Sequence, residues 1–306
     1  PMSSPPSPVP VPGSGEALRA RYGARYRWLL LATAMVGVMA SIMSSTVVNV
    51  AIPGLSHQFA LGQERAQWVT SGFMVASTVS MLLTPWLLAR FGYRATFNGC
   101  MGLLLAGGLL GGFAQNYALV LVARVAEGLA AGVVQPIPAI IIMRAFEPHE
   151  QGRASGIFGM GVVLAPAVGP SIGGLLVEAF GWRSIFFMVA PFCAVSLWLA
   201  RRYVPTTAPG GAVASRTESL DWIGLAVGTL GTLSLLNGLV TLRKGPAGDA
   251  LGLLALAAAC LVGFVLWQRH RMALGQAPLM NLRLFAWRPF AMGALVALIY
   301  GTALFG

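Results

Sequence analysis

The stretch LVLVARVAEGLAAGVV, residues 119–134, carries two opposite charges inside an otherwise apolar segment. A charge at membrane depth costs at least about 2.5 kcal/mol, so it persists where it faces a protein interior or a water-filled path. Arg124 and Glu127 are three residues apart, which places both side chains on one face of a helix, within pairing distance. The stretch therefore predicts a membrane helix with a buried acid–base pair, an arrangement typical of ion or proton coupling.

The composition of the whole chain is that of a membrane protein. Charged residues make up 9% of the chain and hydrophobic residues 57%, whereas a soluble domain carries about 25% charged residues. Segments of about 20 apolar residues, long enough to cross a bilayer core as helices, recur along the sequence. We predict nine spans, at 28–50, 66–88, 96–114, 118–142, 154–177, 184–200, 220–242, 250–268 and 289–306.

The net charge of +11 is explained by membrane topology, and we predict no binding of nucleic acid. With the N-terminus inside, the predicted outer loops contain only Arg65, Arg183, Arg243 and Lys244. The inner segments contain Arg19, Arg21, Arg25, Arg27, Arg90, Arg94, Arg144, Arg153, Arg201, Arg202, Arg216, Arg269, Arg271, Arg283 and Arg288. Basic residues concentrate on the cytoplasmic side of membrane proteins. We therefore predict a multi-pass protein of the cell (inner) membrane, in the lipid bilayer, with a cytoplasmic N-terminus.

The predicted spans and the segments between them suggest six regions. Residues 1–26, which begin with many Pro, Ser and Gly residues, predict a disordered cytoplasmic tail. We then expect an N-terminal six-helix bundle at 27–200, a flexible cytoplasmic linker at 201–219, an inserted transmembrane hairpin at 220–268, a cytoplasmic loop at 269–288 and the first helix of a second bundle at 289–306. Because the last apolar run stops at Gly306 without a polar flank, we interpret the chain as a fragment truncated at its C-terminus.

Seven motifs follow one another along these regions. They are MSSTVVNVAIPGL (43–55), PWLLARFGYR (85–94), RVAEG (124–128), APAVGPSIGG (165–174), FGWRSIFF (180–187), LDWIG (220–224) and PLMNLRLF (278–285). In order and position they resemble the motifs of the 14-helix drug:proton antiporters of the major facilitator superfamily, the EmrB/QacA type. The resemblance implies an all-α polytopic fold with two six-helix halves. It also implies alternating access and proton-coupled efflux of amphipathic drugs or toxic organic compounds.

The resemblance assigns roles to two of these motifs. Arg90, Gly92 and Arg94 match the superfamily's inner-loop signature, and its arginines either bind helix C-termini of a neighbouring bundle as a gate or serve only as topology signals. The antiporter motif of helix five either helps the two halves rock or only allows close helix packing. Its residues here are Pro166, Gly169, Pro170, Gly173 and Gly174.

Two departures from the family concern the charged pair. The family usually has an acid in helix one where this chain has Ser44, and it usually has Gln where this chain has Glu127. We hypothesise that Glu127 is the proton carrier and that Arg124 tunes it. The open alternative is a permanently closed ion pair that only orients helices.

The substrate pocket is expected to be mainly apolar and aromatic, with a few polar groups. Its candidate residues are Asn49, Trp68, Phe73, Met74 and Gln135. No motif of a metal site, nucleotide loop or nucleophile elbow occurs in the sequence, so we expect no cofactor, no metal and no enzymatic activity. The expected partners are protons and a small amphipathic organic substrate, and a periplasmic adaptor is left open.

Three other functions remain open from the sequence. One is transport of another small-molecule class within the same superfamily, for which a nutrient pocket would need more polar groups than this chain offers. The second is a transport-dead, truncated membrane protein. The third is an intramembrane enzyme, which the missing nucleophile–base and metal constellations disfavour.

Overall fold

A computed structural model describes residues 13–207, 220–244, 247–276, 279–280 and 282–305. These residues divide into two compact units, Pro1–Glu218 and Ser219–Gly306. The first unit contains α1 (Gly15–Tyr22), α2 (Tyr26–Gln58), α3 (Gln63–Met81), α4 (Thr84–Gly112), α5 (Tyr117–Val134), α6 (Ile137–Ala145), α7 (Pro148–Phe180) and α8 (Ser184–Tyr203). The second contains α9 (Trp222–Lys244), α10 (Ala247–Ala273), a 3₁₀ helix (Leu282–Ala286) and α11 (Arg288–Phe305). The predicted all-α polytopic fold is confirmed.

Seven helical segments within the described residues are long and apolar enough to cross a membrane. In lipid a backbone N–H or C=O finds no water, so a spanning segment must pair these groups within its own helix. The seven segments are Gly15–Gln58, Thr84–Gly112, Tyr117–Ala145, Pro148–Phe180, Ser184–Tyr203, Trp222–Leu239 and Gly248–Ala273. The chain is therefore a multi-pass membrane protein.

Two predicted spans differ from these seven segments. The span predicted at 66–88 is divided, because α3 ends at Met81 and α4 begins at Thr84. Polar residues such as Gln67, Thr70 and Ser71 lower the hydropathy of α3, and α3 is not one of the seven. The last helix, α11, coincides with the run predicted at 289–306 but is also not one of the seven.

The predicted disorder of residues 1–26 is wrong over residues 15–25, while residues 1–12 lie outside the described part. The side chain of Ser14 caps α1 by accepting a 3.2 Å hydrogen bond from the backbone N–H of Ala17. Leu18 is buried, and the ring of Tyr22 packs edge-to-face on Tyr203 of α8 at 5.3 Å. Because Leu18 and Tyr22 are four residues apart, they share one helix face, and that apolar face holds α1 against the first unit.

Close backbone contact between α3 and α5 positions the charged pair. A Cβ atom on Gly128 would collide with the carbonyl oxygen of Phe73, and one on Gly132 would collide with that of Ser77. Small residues four apart let membrane helices approach closely. Close packing matters in a membrane, because apolar side chains gain no hydrophobic free energy by leaving lipid for a helix interface. The sequence EGLAAG thus brings the backbone of α3 against the face of α5 next to Glu127.

In the second unit, α9 and α10 pack as a pair fastened at one end by Asp221. Its buried carboxylate accepts hydrogen bonds from the backbone N–H of Gly224 at 2.9 Å, from Trp267 Nε1 at 2.9 Å and from Gln268 Nε2 at 2.8 Å. Arg271 Nη1 lies 3.5 Å from the same carboxylate. Trp267, Gln268 and Arg271 belong to the last turns of α10, which runs to Ala273, so the loop predicted to start at 269 begins later.

Candidate functional site

Arg124 and Glu127 form a closed ion pair inside the first unit. Arg124 Nη1 lies 2.6 Å from Glu127 Oε2, and about 1% of each residue is exposed. The i, i+3 spacing on α5 brings the two side chains together, as the sequence predicts. The cost of burying such a pair falls when its other hydrogen-bonding groups also find partners.

The first helix of the bundle supplies such a partner through Ser44. Its hydroxyl donates to Glu127 Oε2 at 3.2 Å and lies 2.9 Å from Arg124 Nη1, which also donates to the Ser44 carbonyl oxygen at 3.2 Å. The Ser44 hydroxyl thus contacts both charged groups. Ser44, Arg124 and Glu127 therefore form one polar cluster, which we call the charged cluster.

Two contacts from α3 complete the surroundings of Arg124. Its Nε donates to the carbonyl oxygen of Val69 at 3.2 Å, and its guanidinium carbon lies 4.4 Å from the centre of the Phe73 ring. A cation over an aromatic face is stabilised by the ring quadrupole, by about 2 kcal/mol when both groups are desolvated. Arg124 therefore has several partners besides Glu127.

One polar atom on each charged side chain has no hydrogen-bond partner within the described part of the chain. These atoms are Glu127 Oε1 and Arg124 Nη2, and both are buried. A Cβ on Gly108 of α4 would lie 3.5 Å from Glu127 Oε1, and one on Gly107 would lie 2.8 Å from Glu127 Cγ. The carboxylate thus faces the bare backbone of α4 and retains an acceptor atom for a proton or a polar ligand.

The inner-loop signature lies where the chain turns inside α4. Gly92 adopts φ 78° and ψ 172°, a left-handed conformation that glycine tolerates best. A Cβ there would collide with the carbonyl oxygen of Thr206. Residues 204–207, which follow α8, lie across this turn, and we call them the strap. The backbone N–H and the Nε of Arg94 donate to strap carbonyl oxygens at 3.0 and 2.7 Å.

The two signature arginines have partners within the first unit. Arg94 binds the carbonyl of Val204, the C-terminal cap of α8, so it does bind a helix C-terminus, although not one of a second bundle. The guanidinium of Arg90 lies 5.3 Å from the ring centre of Trp86. Their role as a gate between bundles stays a prediction.

The antiporter motif lies on α7, a single helix that contains both Pro166 and Pro170. Gly169 and Gly173 are buried, and a Cβ on them would meet Val47 of α2 at 3.2 Å and 2.5 Å. No described atom lies within 4 Å of a Cβ placed on Gly174. Two of the three glycines, Gly169 and Gly173, therefore allow α7 to pack closely against α2.

The structure separates the residues predicted to line a substrate pocket. Phe73 is buried against Arg124, whereas Trp68 and Met74 on the same helix are exposed. Asn49 is exposed and accepts a 3.2 Å hydrogen bond from Thr70, and Gln135 is half-buried at the break between α5 and α6. A substrate-lining role for these residues stays a prediction.

Sequence reasoning missed two arrangements. The motif LDWIG was recognised without a role for Asp221, although an Asp three residues before Gly224 at a helix start is an N-cap signal. Sequence reasoning also missed the strap, because residues 92–94 and 204–207 are more than a hundred positions apart and no periodicity links them.

Residues 34–306 match the Major Facilitator Superfamily. The chain is 30% identical over 279 residues to the uncharacterized MFS-type transporter YhcA of Bacillus subtilis, covering 90% of this chain and 51% of the relative. It is 30% identical over 308 residues to a multidrug resistance protein B homolog of Mycobacterium tuberculosis, covering 98% and 56%. It is 31% identical over 300 residues to the tetracenomycin C resistance and export protein of Streptomyces glaucescens, covering 96% and 54%. The chain spans about half the length of these curated relatives.

Solved structures agree on the fold. The crystal structure of the POT family transporter PepTSo superposes with a TM-score of 0.56 at 16% identity, over 81% of this chain and 55% of that one. A likeness at this identity concerns the fold alone. Because the family match covers most of the sequence and the helices follow the same fold, the chain belongs to the Major Facilitator Superfamily.

Proposed function

We propose that the intact protein exports amphipathic organic compounds in exchange for protons, by alternating access, as a 14-helix antiporter of the cell (inner) membrane with a cytoplasmic N-terminus. Two similar proteins are named for multidrug resistance and for tetracenomycin C resistance and export. The observation that carries the proton-coupling part is the charged cluster, in which a buried carboxylate is paired and keeps one oxygen without a hydrogen-bond partner among the described residues.

The contacts of Arg124 make the ion pair able to open. When a proton binds Glu127, the carboxyl loses its charge and its attraction to Arg124. Arg124 then still has the carbonyl oxygens of Ser44 and Val69 and the face of Phe73. A buried cation that keeps these partners loses less stability than one left alone. Protonation of Glu127 therefore leaves Arg124 hydrogen-bonded to two carbonyl oxygens, although no carboxylate then balances its positive charge.

The driving force in this proposal is the proton gradient. A charge that crosses the membrane gains about 2.3 kcal/mol per 100 mV, and a pH difference of one unit adds about 1.4 kcal/mol. One proton per cycle then supports a concentration ratio of at least about tenfold for a neutral substrate.

Transport by the intact protein in proteoliposomes tests the proposal. An imposed pH gradient should drive movement of a lipophilic dye, with protons moving in the opposite direction. We expect Glu127→Gln to abolish gradient-driven transport while dye binding remains. The matched control is Glu150→Gln, because Glu150 forms a partly buried ion pair with Arg27 outside the charged cluster. Full proton coupling in Glu127→Gln would exclude Glu127 as the carrier.

The length of the relatives supports the proposal that this chain is part of a longer protein. The chain covers 51% to 56% of the three curated relatives, and a 14-helix protein needs about five further apolar spans of roughly 20 residues. Sequencing the coding DNA beyond the Gly306 codon tests this directly. A stop codon at that point would overturn the two-bundle antiporter and leave transport dependent on a second chain.

A further inference from the structure

The second unit contains a groove beside the end of α10, which we call the hairpin groove. It has a volume of about 510 Å³ and is lined by Val265, Arg269, Met272, Ala273, Leu282 and Phe285. Four of these residues come from the last turns of α10, and the other two come from the 3₁₀ helix Leu282–Ala286. The backbone N–H of Leu279 donates to Gln268 Oε1 at 2.9 Å, which holds the returning chain close to α10.

The walls of the hairpin groove are apolar, apart from one arginine. Val265, Arg269 and Ala273 are four residues apart, so they lie on one face of α10 and present a cation among apolar side chains. Arg271 lies on a different face and is buried beside Asp221. Of these two neighbouring arginines, one therefore fastens the hairpin and the other, Arg269, is exposed at the groove.

The residues of α10 beside the hairpin groove have the pattern of a membrane–water interface. The helix is apolar up to Phe264–Leu266, and Trp267, Gln268, Arg269 and His270 follow. Trp residues followed by basic residues are typical of the membrane–water interface. Phe285 and Trp287, which follow on the returning chain, are also exposed. Exposed apolar side chains beside basic residues are characteristic of a surface that meets lipid.

We propose that the hairpin groove binds one anionic phospholipid, with an acyl chain along the apolar wall and the phosphate at Arg269. An apolar groove with a single cation at the interface is complementary to a molecule with one negative headgroup and long hydrocarbon chains. A zwitterionic lipid offers the same chains without the net charge, so charge distinguishes the two. The proposal is independent of proton coupling and concerns a site in the second unit alone.

Lipid titration of the intact, delipidated protein, followed by native mass spectrometry, tests the site. The probes are phosphatidylglycerol and phosphatidylcholine with identical acyl chains. We expect one phosphatidylglycerol to bind about fivefold more tightly than phosphatidylcholine, the effect of one basic residue near an anionic headgroup. Arg269→Gln should abolish this preference, and Arg269→Lys should keep it. Ala273→Trp, which fills the groove from an exposed position, should weaken binding of both lipids.

The matched control is Arg201→Gln, since Arg201 is an exposed arginine at the end of α8 in the first unit. We expect this variant to keep the preference for phosphatidylglycerol. An equal loss of this preference in Arg201→Gln would show a general attraction of anionic lipid to a basic protein, and would overturn the proposed site. An unchanged preference in Arg269→Gln, or displacement of the lipid by inorganic phosphate at similar concentration, would overturn it as well.

Discussion

Nη1 of Arg124 lies 2.6 Å from Oε2 of Glu127, one helical turn along α5, and both residues are almost fully excluded from the surface. The pair of Arg27 and Glu150 in the same unit, whose side chains are 25% and 22% exposed, provides a comparison. Exposed pairs are worth about 0–1 kcal/mol, because water already solvates both charges. A buried pair differs, since removing one partner leaves the other as an uncompensated charge.

This difference predicts a large loss of stability when the buried pair is broken on one side. Arg124→Met should lower the free energy of unfolding by about 3–5 kcal/mol, because Glu127 is left without its cation. Arg124→Met combined with Glu127→Leu should regain most of that loss. Denaturant titration of the purified proteins measures the free energy of unfolding of both variants. A double variant as unstable as the sum of its single variants would show that the two side chains are not energetically coupled.

The turn at Gly92 predicts that adding a single methyl group at this residue destabilises the protein. Gly92→Ala forces a left-handed backbone on alanine and places its Cβ against the carbonyl oxygen of Thr206. We expect a loss of about 1–3 kcal/mol, together with faster amide hydrogen exchange at Arg94, whose N–H donates to the strap. Gly102→Ala in the same helix is the control, because no described atom lies within 4 Å of a Cβ placed on Gly102. Equal stability of the two variants would contradict docking of the strap.

Gly173 and Gly174, which are adjacent on α7, allow two alanine variants to be compared. A Cβ on Gly173 would lie 2.5 Å from Val47 Cγ1, whereas one on Gly174 meets no described atom within 4 Å. Gly173→Ala should therefore push α7 away from α2 and cost about 1–3 kcal/mol by overpacking. Gly174→Ala should leave stability unchanged or raise it slightly, since alanine favours a helix. Thermal unfolding of the two variants compares them, and the reverse order would refute the α2–α7 contact.

Asp221 predicts how the α9–α10 pair responds to acid. Burial raises the pKa of this carboxyl, but hydrogen bonds from Gly224, Trp267 and Gln268 and the charge of Arg271 outweigh burial and hold the pKa below its usual value. A depressed native pKa contributes stability above the unfolded pKa of about 3.9 that is lost as the pH falls through the native pKa.

Amide hydrogen exchange of the first turns of α9, followed from about pH 6 down to below about pH 4, checks this. We expect protection in the wild type to fall steeply as the pH drops below about 4. In Asp221→Asn, protection of these amides should be lower at about pH 6 and nearly independent of pH. An identical pH profile in the two proteins would mean that another group controls the response.

The charged cluster was only partly predictable from the sequence. The i, i+3 spacing predicts that Arg124 and Glu127 meet, because helix geometry is local and follows from the sequence positions alone. The contacts from Ser44, Val69 and Phe73 come from two other helices, and spacing along one helix cannot place them. Residues 15–22 show the same limit, since the contact of Tyr22 with Tyr203 of α8 joins positions far apart in the sequence.

By itself, the sequence determined that this protein spans a membrane as helices, because apolar segments of that length have no other way to pair their backbone groups in lipid. It also determined the acid–base pair of α5 and the family. Tertiary structure alone decided that the pair is closed around Ser44, that Gly92 receives the strap and that Arg271 turns to Asp221 while Arg269 stays exposed. These contacts join residues distant in the chain, and packing between helices, rather than local periodicity, sets which of them meet.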